Sequence, residues 1–195
     1  MGSARKILLA TFTVDNIKEV WPVPKVRHKV FVSFYHDDDD KYRLKWDELT
    51  EGLFINKSVG KGEIDSDNSD DYIKRLIREQ YLDDASVLVV LVGPNTRDRK
   101  HVDWEISAAL NKKVGGYSGL MGLLLPTHPN YRKKTYTAEL LPPRLADNAG
   151  TGYAHIYDWT TDLDTLYRHV HAAFLRRTSD AKLIDNSRPQ FKRNH

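Results

Sequence analysis

The sequence predicts an α/β domain whose open parallel sheet of about five strands carries helices on both faces. Short apolar runs alternate along the chain with longer amphipathic stretches, an order typical of strands joined by crossover helices. The apolar runs are also continuous and do not alternate in polarity, which indicates strands buried on both sides. Together these observations favour one layer of parallel strands between two layers of helices.

Five apolar runs are the expected strands. The first is rich in β-branched and aromatic residues, the second is the weakest, and the third is the clearest buried run. In chain order they are KVFVSFY (29–35), GLFIN (52–56), ASVLVVLVG (85–93), GLMGLLLP (119–126) and YAHIYDW (153–159).

Four stretches show apolar residues at helical spacing. The last of them starts at a capping box formed by Thr161 and Asp164. Between the predicted elements lie a loop rich in Gly and Asp (57–69) and a long irregular segment (127–152). The expected helices are KYRLKWDEL (41–49), DDYIKRLIREQYL (70–82), KHVDWEISAAL (100–110) and a final helix with Leu163, Leu166, Val170 and Phe174 on one face.

Composition limits the class of protein. The chain has 195 residues, of which 40% are hydrophobic and 29% charged, and this suits one globular domain with a sizeable core. We expect neither a membrane span nor a secretory signal. The lack of cysteine excludes disulfides, thiolate metal sites and a cysteine nucleophile, and it leads us to expect the cytoplasm.

The positive charge is concentrated at one end. The formal net charge is +3, but residues 176–195 hold six Lys or Arg against two Asp or Glu. We expect a solvated, partly disordered basic tail there, with contact to nucleic acid as the less favoured alternative. The predicted division is an N-terminal extension (1–28), the α/β domain (29–176) and the basic tail (177–195).

Trp104 and Glu105 stand side by side near the start of the helix that follows the central strand. In an open parallel sheet, the C-terminal ends of strands and the N-terminal ends of helices share the edge where ligands bind. Glu105 can therefore face that edge. From the pattern alone the structural interpretation is favoured, because the helix dipole stabilises an early glutamate and a half-buried tryptophan is ordinary packing.

A run of four aspartates, Asp37–Asp40, follows the first strand. A receiver-type Mg²⁺ site also needs a phospho-accepting aspartate at the end of the central strand, and that strand ends LVGPN, so this site is excluded. Capping of the next helix is the favoured interpretation, with a different metal site as the alternative. The sequence contains no P-loop, no nucleophile elbow and no histidine pair at metal-ligand spacing, and we expect no bound metal.

Three stretches carry a family resemblance: KVFVSFYHDDDDKYRLKWDEL, YIKRLIREQYLDDASVLVVLVGPNTRDRKHVDWEISAAL and YAHIYDW. In their order they resemble the TIR-like domains of the Thoeris ThsB type, which act in bacterial anti-phage defence. The resemblance covers about residues 29–176. It implies a flavodoxin-like fold and cleavage of NAD⁺ to nicotinamide and an ADP-ribose-derived signal, which activates a partner effector. NAD⁺ would be the substrate, no cofactor is implied, and a homo-oligomer is expected.

The resemblance also implies roles for particular residues. Glu105 matches the catalytic glutamate of the family. Ser33, Phe34 and Tyr35 match the opening motif beside the ribose and nicotinamide pocket, where Trp104 could add an aromatic face. The loop at about residues 56–69 corresponds to the BB loop of TIR domains, which serves assembly and site closure.

Two other functions remain open at this point. One is a non-catalytic TIR-like module that signals by assembly through the BB loop, and the other is a sensor that binds a nucleotide without cleaving it. Glu105 and the aromatic opening motif favour the enzyme, since a scaffold has no need of a carboxylate at the ligand edge.

Overall fold

The sheet has five strands, and all of them are parallel. The computed structural model describes residues 25–59 and 68–194. The strands are β1 (Lys29–Ser33), β2 (Ile55–Lys57), β3 (Val87–Val92), β4 (Gly119–Leu124) and β5 (His155–Asp158). They lie in the order β2-β1-β3-β4-β5, which confirms the predicted fold class.

Helices precede or follow each strand. They are α1 (His36–Thr50), α2 (Asp70–Leu76), α3 (Lys100–Ala109), α4 (Pro143–Gly150) and α5 (Leu163–Ser179). The end of α2 continues into a π-helical turn, Ile77–Tyr81, and short 3₁₀ turns occupy Thr96–Asp98, Ala138–Leu140 and Ala181–Leu183. None of the helices in the described ranges is long and apolar enough to cross a membrane.

The core consists of two apolar clusters, one on each face of the sheet. Every residue of β3 and β4 is buried, so these central strands contribute to both clusters. One cluster joins the sheet to α2, α3 and α4, and the other joins it to α1 and α5. Side chains of β1 point alternately to the two faces of the sheet, so Phe31 belongs to the first cluster and its neighbour Val32 to the second.

The strand order changes direction between β1 and β3. From β1 the chain crosses to β2 on one side, and it returns to form β3 on the other side. The connections that leave the C-terminal ends of β1 and β3 therefore diverge to opposite faces and leave a crevice between them. In open α/β sheets this crevice is the usual ligand site.

Two predicted segments differ in the structure. Residues 127–152 are not wholly irregular, because Pro143 begins α4 at a position where its missing N–H costs nothing, and Leu145 is buried against the sheet. The helix expected at 41–49 begins earlier, at His36. Its first turn contains Asp37, Asp38 and Asp39, which the helix dipole favours.

No residue of the basic tail in the range 177–194 is buried, as expected for a solvated end, but residues 185–194 make hydrogen bonds that we did not predict. They lie against α3 and α4 and bond to the side chains of Asp103, Trp104 and Asn148 and to the Ser107 carbonyl oxygen. Composition hides this, because charge alone says nothing about long-range backbone hydrogen bonds. The N-terminal residues 1–24 and residues 60–67 of the predicted BB loop lie outside the described residues, and the domain boundaries stay predictions.

Candidate active site

Ser33 and Glu105 meet at the crevice between β1 and β3. Ser33 is the last residue of β1, and Glu105 lies in the second turn of α3, the helix that follows β3. The Ser33 hydroxyl donates a hydrogen bond of 2.5 Å to Glu105 Oε2. Both residues are buried, with 1% and 6% of their surface exposed. The structure thus joins the predicted catalytic residue to one of the predicted binding residues.

Burial makes Glu105 a perturbed carboxyl group. Loss of solvent raises its pKa to about 8, although the Ser33 hydrogen bond favours the ionised form. At neutral pH the Glu105 carboxyl is therefore mainly protonated. Within the described residues, Ser33 is the one hydrogen-bond partner of this carboxyl.

The helix that carries Glu105 is enclosed on nearly all sides. Its apolar stripe packs on the sheet, as predicted, with Val102, Ile106 and Ala109 buried. Asp103, Trp104, Glu105 and Ser107 are buried as well, although they lie off that stripe. Neighbouring elements cover these residues and bond to the side chains of Asp103, Trp104 and Glu105. Polar contacts therefore hold α3 in addition to apolar packing.

Phe34 does not lie on the Glu105 side of the sheet. Because successive strand residues point to opposite faces, Phe34 joins the apolar cluster under α1 and α5. There its ring meets the ring of His36 edge-on, with centroids 4.4 Å apart. Direct contact between Phe34 and a substrate stays a prediction and would require the side chain to move.

Trp104 is 1% exposed, and its indole N–H donates to the carbonyl oxygen of Phe191 at 2.8 Å. The ammonium groups of Lys74 and Lys100 lie 4.7 and 4.9 Å from its ring centroid. A tryptophan enclosed in this way has no free face, so its contact with nicotinamide also stays a prediction.

Tyr35 lies at the rim of the crevice. Its hydroxyl donates to Asp37, and the guanidinium of Arg99 lies 4.0 Å from the centroid of its ring. The Asp37 hydrogen bond raises the pKa of the phenol. Tyr35 and Arg99 thus connect the start of α1 to the start of α3. Unlike Phe34 and Trp104, Tyr35 is only partly buried, although Arg99 covers one face of its ring.

Two histidines were missed by the sequence reasoning. His101 precedes Glu105 by one helical turn, and such residues share a helix face. Its Nε2 is buried without a hydrogen-bond partner among the described residues, and burial lowers its pKa, as do the charges of Lys100 and His36. His36 is bonded through Nε2 to the Val59 carbonyl oxygen at 2.9 Å. The i, i+4 spacing of His101 and Glu105 was the available signal.

The aspartate run at the start of α1 is hydrogen-bonded to the segment that follows β3. Asn95 donates to Asp38 at 2.7 Å, and Thr96 donates to Asp39 at 3.0 Å. Asp39 is 1% exposed, and burial raises its pKa to about 6, opposed by the Thr96 hydrogen bond. No group of three or more His, Asp or Glu suited to a metal ion occurs in ranges 25–59 and 68–194.

Comparison with known proteins gives one family match. The model described as "Thoeris protein ThsB, TIR-like domain" matches residues 31–129, which contain both Ser33 and Glu105. No curated protein matches the chain. Among solved structures, the TIR domains of the activated Roq1 resistosome directly recognizing the pathogen effector XopQ are similar at 15% identity. That similarity covers 80% of this chain and 84% of the other, with a TM-score of 0.37.

Proposed function

The chain belongs to the Thoeris ThsB TIR-like family, and from that premise we propose that it cleaves NAD⁺. The products would be nicotinamide and an ADP-ribose-derived signal that activates a partner effector in anti-phage defence. The observation that carries the proposal is the buried Ser33–Glu105 pair at the ligand edge of the sheet. Glu105 is the proposed catalytic residue, and Ser33 and Tyr35 are the proposed substrate neighbours.

The reaction needs a single carboxylate. When the bond between ribose C1′ and the nicotinamide nitrogen breaks, its electron pair neutralises the pyridinium ring, so the leaving group requires no proton. This differs from ordinary glycoside hydrolysis, which uses a second carboxylic acid. Glu105 would stabilise the positive charge that develops on the ribose, in an enclosed site where such charge stabilisation is strongest. Water then gives ADP-ribose, and an internal or added nucleophile gives a cyclic or modified product.

Substrate binding would ionise Glu105. In the free protein the raised pKa keeps the carboxyl mainly protonated at neutral pH. A pyridinium cation beside the carboxyl favours the charged form, as any nearby opposite charge does. The Ser33 hydroxyl supports the same state by donating to Oε2. The negative charge would then be present in the complex and absent from the free enzyme.

His101 supplies an uncharged ring nitrogen on the same helix face. Its Nε2 has no hydrogen-bond partner within the described residues and could bond a ribose hydroxyl or the nicotinamide amide. Since burial lowers the pKa of His101, the ring adds no charge that would repel the pyridinium.

The test is chromatography of NAD⁺ incubated with the purified chain at several protein concentrations. The wild type is compared with Glu105→Gln and with Glu79→Gln, a matched change at an exposed glutamate of the π turn. The proposal expects nicotinamide release by the wild type and by Glu79→Gln, and none by Glu105→Gln. The mass of the second product identifies the signal.

A second candidate function is a non-catalytic module that signals by assembly. The observation that favours it is the burial of Glu105, because a protonated glutamate bonded to a serine also serves as a structural group. If this candidate is correct, the chain should not bind NAD⁺. It should also form an oligomer, and Glu105→Gln should not change the formation of that oligomer. Calorimetry with NAD⁺ and sedimentation of both variants distinguish it from the enzyme.

A further inference from the structure

Residues 185–194, here named the clasp, follow the last 3₁₀ turn without regular secondary structure and lie along α3 and α4. At its first residue the clasp is joined to α4 by a reciprocal pair of hydrogen bonds. The Asn148 amide donates to the Asp185 carbonyl oxygen at 2.7 Å, and the Asp185 N–H donates to Asn148 Oδ1 at 3.0 Å. The buried amide of Asn148 therefore fixes the position of the clasp where it meets α4.

The backbone of Phe191 is bonded on both sides by α3. Its N–H donates to Asp103 Oδ2 at 2.8 Å, and its carbonyl oxygen accepts from the Trp104 indole at 2.8 Å. Both partners are buried, with 2% and 1% exposed. These are the two residues that immediately precede Glu105.

The clasp also contacts both ends of α3. Asn194 Oδ1 accepts from the N–H of Lys100, the first residue of the helix, where the preceding Arg99 supplies no side-chain cap. In the last turns the Asn186 amide donates to the Ser107 carbonyl oxygen at 3.1 Å. Asn186 Oδ1 accepts at 2.7 Å from Arg144, which is itself paired with Asp103.

Contacts in these positions would oppose a rotation of α3 about its axis. In an α-helix Asp103 points roughly 200° away from Glu105, so the clasp holds nearly the opposite side of the helix. A buried carboxyl with one hydrogen-bond partner gains solvation if its helix turns toward water. Bonds on the far side oppose that rotation.

We propose that the clasp is a positioning element of the active site. Phe191 and Asn186, acting through Asp103 and Ser107, hold α3 in the rotation that places the Glu105 carboxyl against Ser33. Neither residue touches the substrate. The expected effect on turnover rests on the proposed NAD⁺ cleavage, whereas the effect on Glu105 itself does not.

The test uses the full chain with Phe191→Pro, which removes the N–H that donates to Asp103 and changes no residue of α3. Phe191→Leu is the matched control, because it keeps both backbone groups and an apolar side chain. Asn186→Ala is the second variant, in case the proline prevents folding. Near-ultraviolet circular dichroism of each protein establishes that it is folded.

The first measurement is steady-state NAD⁺ cleavage. We expect Phe191→Pro to lower kcat by about tenfold to a hundredfold with little change in KM, since small displacements of a catalytic group have effects of this size. Phe191→Leu should keep the wild-type kcat. Folded Phe191→Pro and Asn186→Ala with wild-type kcat would overturn the proposal.

The second measurement needs no turnover. The Glu105 carboxyl is titrated by ¹³C NMR and assigned by its loss in Glu105→Gln. We expect Phe191→Pro to lower the Glu105 pKa below the wild-type value, because a turned helix lets the carboxyl reach water. If the wild type does not cleave NAD⁺, the proposed function fails, but this titration still tests whether the clasp positions Glu105. An unchanged Glu105 pKa in both folded variants would overturn the positioning role.

Discussion

Ser33 and Glu105 are separated by 72 positions in the sequence, yet their side-chain oxygens lie 2.5 Å apart. Parallel strand order explains this, because the C-terminal ends of β1 and β3 are neighbours at the edge where α3 begins. The hydroxyl therefore bonds a carboxyl that burial keeps mainly protonated at neutral pH.

Glu105→Gln should stabilise the fold at alkaline pH. The folded-state pKa of Glu105, about 8, lies above its ordinary value of 4.5. Between these values the unfolded chain releases the proton and the folded chain keeps it, so the stability from Glu105 falls as pH rises. Glutamine has no proton to lose. Urea unfolding should give equal free energies near pH 4 and a glutamine variant more stable by a few kcal/mol at pH 8. An equal difference at both pH values would contradict this.

The pH dependence of kcat/KM should follow the ionisation of Glu105. Because the reacting form is the carboxylate, kcat/KM should rise with pH and level off above about 8, the pKa of the free carboxyl. Ser33→Ala removes a hydrogen bond that lowers this pKa, so its midpoint should lie at higher pH. Initial rates are measured with a blank at each pH. A profile that falls with pH would assign the active form to the protonated acid.

Arg144 and Asp103 form an ion pair with side-chain exposures of 0% and 2%. Arg144→Ala leaves the aspartate buried without its cation, so we expect a loss of about 3–5 kcal/mol of unfolding free energy. The control is Arg188→Ala, which removes a partly exposed pair with Asp147 and should cost about 0–1 kcal/mol. Equal losses of unfolding free energy in the two variants would contradict the prediction that the buried ion pair contributes more to stability than the partly exposed one.

The contact between His28, which immediately precedes β1, and His171 of α5 should make the stability of the fold sensitive to acid. His28 is 2% exposed, and its Nε2 lies 3.0 Å from His171 Nδ1. Burial, then the charges of His171 and Arg177, lower the His28 pKa from 6.5 to about 4. The unfolded chain therefore binds more protons in this window, and stability should fall as pH decreases from 6.5 to 4.

His28→Gln should make that decrease shallower, as measured by urea unfolding at several pH values. The exposed His155 provides the matched control, and His155→Gln should change the slope less. A slope unaltered by His28→Gln would remove His28 as the cause.

The sequence was sufficient to predict the sheet and the position of Glu105 in the helix that follows the central strand, whereas the catalytic role of Glu105 came from the resemblance and stays a prediction. Buried parallel strands leave continuous apolar runs, and the helix after the central strand must begin at the ligand edge. Ser33 came from the resemblance, and strand alternation is what turns its side chain toward α3. The same alternation turns Phe34 to the opposite face of the sheet. The alternation could therefore have been used to predict that Ser33 and Phe34 do not lie on the same side.

The surroundings of Trp104 could not be read from the sequence. Its partner Phe191 lies 87 positions away and is bound through its backbone, which carries no side-chain signal. The basic composition of residues 177–195 gave no sign of the hydrogen bonds that hold residues 185–194, which involve Asn186, Asn148 and the Phe191 peptide groups. Long-range polar contacts of this kind have no periodicity.

The most direct test of the central claim measures NAD⁺ affinity and nicotinamide release on the same preparations of wild type and Glu105→Gln. Glutamine keeps the size and hydrogen bonding of the side chain at position 105 but cannot carry the negative charge. The account predicts NAD⁺ binding by both proteins and release by the wild type alone. Release by Glu105→Gln at the wild-type rate would contradict the assignment of the chemistry to this carboxyl group.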